Sequence, residues 1–275
     1  MLTEMLSNVK KVSPLVHCIT NYVTVNDCAN ILLACGGSPI MSDDISEVEE
    51  ITAICGGLDI NIGTLNQTTI PAMFLAGKKA NELGHPVILD PVGAGASTLR
   101  TETAHKLLNE ISFTVIRGNI SEIKTLAQGN GTTKGVDADA ADIVTEETLD
   151  GIVAFAKEFS GKCGAIIAIT GAIDIVADDK NAYIIRNGHP MMSRITGSGC
   201  MLTAMTAAYL TANPGNALEA AAAAVCAMGL CGERAYHKLC EQGGGNSTYR
   251  NYLIDEICNL DEDTLRKGMK CEKEE

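Results

Sequence analysis

The sequence contains no tryptophan, and aromatic side chains make up only 4% of its 275 residues. So few rings disfavour functions built on stacking, such as single-stranded nucleic acid binding or sugar platforms. Basic clusters are equally scarce, with nothing longer than pairs such as Lys10-Lys11 and Lys78-Lys79. With 21 basic and 34 acidic residues the net charge is −13, so neither nucleic acid nor an anionic membrane is an expected partner. Long apolar runs are missing too. The longest, Ala220–Cys231, is too short to cross a bilayer and reads as a buried helix. No signal-peptide-like apolar region appears near the N-terminus, and no C-x-x-C pair occurs among 11 cysteines, an odd number. These features predict reduced thiols and a cytoplasmic protein rather than a secreted disulfide scaffold.

What the sequence does contain is an alternation of short apolar runs with segments of helical period. The runs predict strands at Leu15–Thr20, Ser38–Ser42, Leu58–Ile62, Pro86–Asp90, Thr114–Arg117, Ala165–Thr170, Ile173–Ala177 and Ala182–Arg186. Helices are expected between them, among others at Val25–Ala34, Glu47–Cys55, Thr68–Leu83 and Glu146–Ser160, with three more from Gly199 to about Leu260. Runs such as Val87-Ile88-Leu89 are apolar without interruption, as strands covered on both faces must be. The fold class is therefore α/β with a mainly parallel sheet flanked by helices. The last two runs, joined by Asp178-Asp179-Lys180-Asn181, predict a hairpin forming an antiparallel edge. Gly129–Ala141 reads as a surface excursion and the charged Lys270–Glu275 as a frayed end. No linker or repeat divides the chain, so one domain over 1–275 is expected.

Parallel α/β sheets bind ligands at the carboxyl ends of their strands, which makes the residues just after each run the ones to inspect. The sharpest is Thr196-Gly197-Ser198-Gly199-Cys200, which opens an Ala-rich helix. Its glycines would let backbone N–H groups converge on an anion at the positive end of that helix, although Ser198 as an ordinary N-cap is an even alternative. The motif is neither a Rossmann fingerprint nor a Walker loop, since no G-x-x-x-x-G-K-[ST] is present. Cys200 would feel the helix field, which lowers a thiol's pKa and suits a base or nucleophile, whereas a buried, inert packing role is the commoner fate of a cysteine. Asp90, ahead of Pro91-Val92-Gly93-Ala94-Gly95, has the hard oxygens that suit Mg²⁺, or it accepts loop amides. Asn119 and Glu122 have capping-box spacing, which leaves Glu122 free to reach a metal's water shell as well. Arg117 ends an apolar strand where a guanidinium can meet phosphate. Met41 reads as core or pocket wall, and His17 as a hydrogen-bonded structural histidine.

Taken in order, His17-Cys18-Ile19-Thr20-Asn21, Ser38-Pro39-Ile40-Met41, Asn61-Ile62-Gly63-Thr64-Leu65, Asp90–Gly95, Arg117-Gly118-Asn119 and Thr196–Cys200 resemble the hydroxyethylthiazole kinase family of thiamine salvage, within the ribokinase-like superfamily. The resemblance implies a three-layer sandwich that transfers the γ-phosphoryl group of ATP, with Mg²⁺, to the primary alcohol of 4-methyl-5-(2-hydroxyethyl)thiazole. It further implies that Met41 and Gly197 contact the thiazole, Arg117 and Thr170 the nucleotide, and Asp90 and Glu122 the metal region. Gly197, Ser198 and Gly199 would form an anion hole with Cys200 as the catalytic group. A homotrimer with active sites at subunit interfaces is implied too. Two other readings remain open: a dehydratase of hydrated NAD(P)H, in which the position of Cys200 tends to be Asp, and a non-catalytic thiazole- or nucleotide-binding protein.

Overall fold

The computed structural model describes residues 2–128 and 144–274. The expected surface excursion at Gly129–Ala141 lies outside the described residues. One nine-stranded sheet organises the rest, in the order β2-β1-β3-β4-β5-β6-β7-β8-β9. Strands β1 (Leu15–Ile19), β2 (Ser38–Met41), β3 (Gly57–Asn61), β4 (Val87–Asp90), β5 (Val115–Gly118) and β6 (Ile166–Ile169) run parallel. Strands β7 (Asp174–Ala177), β8 (Ala182–Ile185) and β9 (Cys271–Glu274) extend the sheet antiparallel.

Uninterrupted apolar strands need helices on both faces, and two separate cores answer that need. One face is covered by α1 (Leu2–Val12), α2 (Val25–Cys35), α8 (Ser198–Ala212), α9 (Ala217–Gln242), α10 (Asn246–Asn259) and α11 (Glu262–Gly268). The other is covered by α3 (Val48–Ile54), α4 (Thr69–Leu83), α5 (Thr98–Glu110), α6 (Ile120–Ala127) and α7 (Leu149–Cys163). The result is the helix-flanked, mainly parallel sheet that the alternation predicts, arranged as the three-layer sandwich that the resemblance implies.

Helix α8 is apolar all round, and 12 of its 15 residues are buried between the sheet, α2 and α9. A helix without a solvent face cannot roll, so its N-terminus is fixed against the strand ends. The run Ala220–Cys231 is the buried middle of α9, as its length predicts.

Two expectations need correction at the far end of the sheet. The fray expected over Lys270–Glu275 is not found in its described residues: Cys271–Glu274 forms β9 against β8, so the β7–β8 hairpin is not the edge. Backbone pairing with β8 holds this hydrophilic strand, and its charges find partners alongside. Glu272 meets Arg186, Glu274 meets Lys157, Lys273 lies over the ring of Tyr183, and Lys270 binds Glu233. An edge strand rich in charge also resists pairing with other chains. The helix expected from Glu146 begins only at Leu149, with the Glu146 carboxylate engaged by Arg186, just past the end of β8.

Candidate active site

The parallel register places several polar side chains on one face of the sheet, beneath the start of α8. Asn61 pairs with Asp90 across β3 and β4, and Arg117 lies opposite Ala168 across β5 and β6. Hydrogen bonds then join these groups. Asn21, in the loop after β1, donates from Nδ2 to Cys200 Sγ at 3.2 Å and to Asn61 Oδ1 at 3.1 Å. Asn61 Nδ2 donates to Asp90 Oδ2 at 2.8 Å, and Thr203 Oγ1 donates to the same oxygen at 2.9 Å. Asp90 Oδ1 lies 3.6 Å from Arg117 Nη1, an ion pair too long for a hydrogen bond. Arg117 Nη2 donates to Thr170 Oγ1 at 2.6 Å. The sequence-predicted residues Asp90, Arg117, Thr170 and Cys200 therefore belong to one continuous network.

The N-cap of α8 is Gly197, with φ of +85°, and no side-chain hydrogen bond caps the helix. Ser198 is the first helical residue rather than the cap, which sets aside the ordinary N-cap alternative. First-turn N–H groups of a helix have no intrahelical acceptor, so this end offers donors to an anion. Both glycines are required by their surroundings. A Cβ on Gly197 would strike Thr24, and one on Gly199 would strike the Arg117 guanidinium.

Cys200 is buried, and its thiol is pushed up from its ordinary value by burial and by the charge of Asp90. The expected lowering by the helix field is therefore overturned. Hydrogen bonds from Thr24, Asn61 and Asn21 pull the other way without prevailing. Asp90 is fully buried, and burial raises its carboxyl to about 6 against the opposing pull of Arg117. Its partners are the side chains of Asn61 and Thr203 rather than loop amides.

Among the described residues Asp90 Oδ1 meets no hydrogen-bond donor, although it is buried and points toward the Arg117 side of the network. Glu122 closes a capping box with Asn119 through Oε2, while its Oε1 accepts the N–H of Gly93 at 2.8 Å. Its charge contributes to the raised carboxyl of Asp90. An orphaned hard oxygen beside a second carboxylate fits a divalent cation. No group of three or more His, Cys, Asp and Glu side chains among the described residues forms a metal cage. A cation here would take most of its ligands from water and phosphate, which is the habit of Mg²⁺.

A cleft of about 140 Å³ opens next to this network, lined among others by Cys18, Thr20, Tyr22, Met41, Asn61 and Met73. It is small beside the roughly 300–1,000 Å³ of drug-sized pockets. Met41 forms part of its wall, as expected, whereas Gly197 is not among the lining residues and packs beside Thr24, which lies in the chain between the lining residues Tyr22 and Val25. His17 stands apart as a structural residue, its two ring nitrogens bonded to Thr52 Oγ1 and the carbonyl of Ser42.

Sequence reasoning missed Asn21 and Asn61 as members of the site, though both lie in quoted strand-end motifs. It also missed Thr203, one turn into α8, for which no sequence signal exists. Asp59, on the same face of β3, is fully buried, and neither carboxylate oxygen has a partner among the described residues. Of the remaining cysteines, Cys240 and Cys258 are exposed and so are not packing residues; all eleven are free thiols.

Comparison with known proteins places this arrangement. A solved structure of the hydroxyethylthiazole kinase protein from Pyrococcus horikoshii OT3 superimposes with a TM-score of 0.88 at 32% identity, covering 100% of this chain and 99% of that one. The ADP complex of Bacillus subtilis pyridoxal kinase shares the fold at 17% identity, with a TM-score of 0.55 over 79% of this chain and 90% of that one. In sequence, hydroxyethylthiazole kinase of Clostridium acetobutylicum is 66% identical over 272 residues, 99% of either protein. The family model HK, "Hydroxyethylthiazole kinase family", matches residues 6–263. The site geometry thus sits in a ribokinase-like kinase fold, and the chain belongs to the hydroxyethylthiazole kinase family.

Proposed function

We propose that this kinase, acting as one domain over 1–275, transfers the γ-phosphoryl group of ATP to the primary alcohol of 4-methyl-5-(2-hydroxyethyl)thiazole in thiamine salvage. The observation that carries this reading is the single network running from Cys200 through Asn21, Asn61 and Asp90 to Arg117 and Thr170, beside an uncapped helix start and a small cleft. Thiazole occupies the cleft against Met41, near Gly197. Arg117 and Thr170 meet the nucleotide phosphates.

The transition state of phosphoryl transfer is loose, with charge spread over equatorial oxygens, so positioning and electrostatics outweigh a strong base. The N–H groups at Gly197, Ser198 and Gly199 and the Arg117 guanidinium act as that charge's donors. Asp90 and Glu122 are the groups that would hold Mg²⁺, which neutralises phosphate charge when bound. Cys200 Sγ, held by the Asn21 amide, receives the alcohol's O–H and aims its oxygen. Because burial keeps the thiol protonated at rest, the thiolate that can take the proton grows with rising pH.

The assembly and the compartment belong to this reading as well. Tyr22 lines the cleft yet is 77% exposed, and Val23 beside it and Ile45, two residues after the lining residue Asp43, are exposed too. Apolar side chains at the mouth of a site support a homotrimer with active sites at subunit interfaces. Eleven free thiols, and no helix among the described residues long and apolar enough to cross a membrane, support a cytoplasmic enzyme.

Coupled measurement of ADP release tests the proposal. ADP should appear only when ATP, Mg²⁺ and the thiazole alcohol are all present. Release that ignores the alcohol or the metal would overturn it.

A further inference from the structure

Arg117 and Thr170 do not stand alone at the nucleotide end of the network. After β6 the chain turns at Gly171 and returns as β7, whose first residue, Asp174, lies on the same sheet face as Arg117. Register fixes this placement, because Arg117 lies opposite Ala168 and Ala168 opposite Val176, two residues beyond Asp174. The Asp174 carboxylate accepts the N–H of Gly171 at 2.8 Å, closing the turn that carries Thr170. Thr170 in turn holds Arg117 by the 2.6 Å bond to its hydroxyl and anchors its own N–H on the Gly118 carbonyl at 2.9 Å.

We propose that Asp174 is a positioning residue for the nucleotide: its carboxylate, through Gly171, sets Thr170 and with it the orientation of the Arg117 guanidinium. This rests on the reading of Arg117 and Thr170 as nucleotide contacts. Asp174 touches neither substrate nor Asp90 and acts only through the turn.

The setting makes this device sensitive to pH. Burial raises the Asp174 carboxyl to about 7, with the Gly171 bond and the Arg117 charge opposing the rise. Below that value the acceptor is a neutral acid, and above it a carboxylate, whose hydrogen bond is roughly twice as strong. Among the described residues, the charged or titratable groups that face Asp174 are Arg117 from β5 and Cys226 from α9, with Cys271 of β9 bonded behind Cys226. Opposite it on β8 is the apolar Ile185, and α7 packs on the other face of the sheet. Ionisation also adds a negative charge near phosphate, an effect of opposite sign. The Gly171 bond is direct, whereas Arg117 and Thr170 stand between Asp174 and the nucleotide, so the ordering effect prevails.

The experiment measures KM for ATP and kcat from pH 6 to 9, at saturating thiazole alcohol and Mg²⁺, for the wild type, Asp174→Asn, Asp174→Ala and Arg117→Ala. Wild-type KM for ATP should fall as pH rises through about 7. Asp174→Asn keeps a neutral acceptor at every pH and should flatten that profile. Because ATP's own phosphate, whose second pKa is near 6, titrates equally in both proteins, the difference between their profiles isolates Asp174. Asp174→Ala should raise KM about 10-fold at pH 8, the size of a lost bond to a charged acceptor, with kcat changed less. An Asp174→Asn profile with the wild-type slope, or one in which ATP binds more tightly at low pH only when Asp174 is present, overturns the proposal; the Asn variant decides even where the Ala variant does not fold. Arg117→Ala separates the two readings. An unchanged KM for ATP there would remove the nucleotide assignment itself, whereas a raised KM alongside unaltered Asp174 variants would remove only the role of Asp174.

Discussion

The thiol of Cys200 accepts a hydrogen bond from Asn21 at 3.2 Å, and the same amide group donates to Asn61, which holds Asp90. Cys200 is thereby tied to the phosphate end of the site without touching it. Replacing Cys200 by Ala should lower kcat by roughly 10²–10⁴ if the thiol takes the alcohol's proton, with the fold retained. Turnover near the wild-type value would remove that role. Cys200→Asp, which keeps an acceptor at that place, should remain active. With the thiol raised above its ordinary value, wild-type kcat should rise with pH and still be climbing at pH 9, and the Asp variant should lack that climb.

Gly199 and Arg117 offer a way to disturb the guanidinium without deleting it. A methyl group on Gly199 would occupy the space of Arg117. Gly199→Ala should therefore raise KM for ATP by about 10–100-fold, in the range of a lost hydrogen bond to a charged group. Helix propensity favours Ala over Gly, so the helix itself should not suffer. ATP affinity equal to the wild type would show that Arg117 does not need its present position.

Asp59 is predicted to weaken the fold. Its carboxyl is held well above the ordinary range, first by burial and then by the charge of Asp90. A carboxyl raised in the folded state adds stability that is fully present below its unfolded pKa of about 4 and is lost as pH rises through the folded value. Asp59→Val keeps a similar volume and removes an unpartnered polar group, so it should unfold at higher denaturant than the wild type at pH 8. The gain should be about 1–3 kcal/mol and should shrink toward pH 5. Denaturant melts at both pH values check this, and a variant less stable at each would contradict it.

Much of this was legible in the sequence because backbone and burial dictate it. Apolar runs such as Ile166–Ile169 have no alternative but a strand covered on both faces, and the strand ends named most of the site. Charge pairing across β8 and β9 was invisible, since it joins Glu272 to Arg186 from far along the chain. The pKa of Cys200 was misjudged for a related reason. The helix field acts locally and can be read from Gly197-Ser198-Gly199, but burial and the neighbouring charge of Asp90 come from the tertiary fold and prevail. Thr203 and Asp174 were missed because their roles lie in which partner they meet, not in any spacing.

The central claim is that the γ-phosphoryl group leaves ATP for the thiazole alcohol. Mass spectrometry of the thiazole after incubation with Mg²⁺ and ATP labelled in its γ-phosphoryl oxygens measures this directly. The phosphate ester should form one-to-one with ADP and carry the label. ADP accumulating beside unmodified alcohol, with the label in free phosphate, would contradict it.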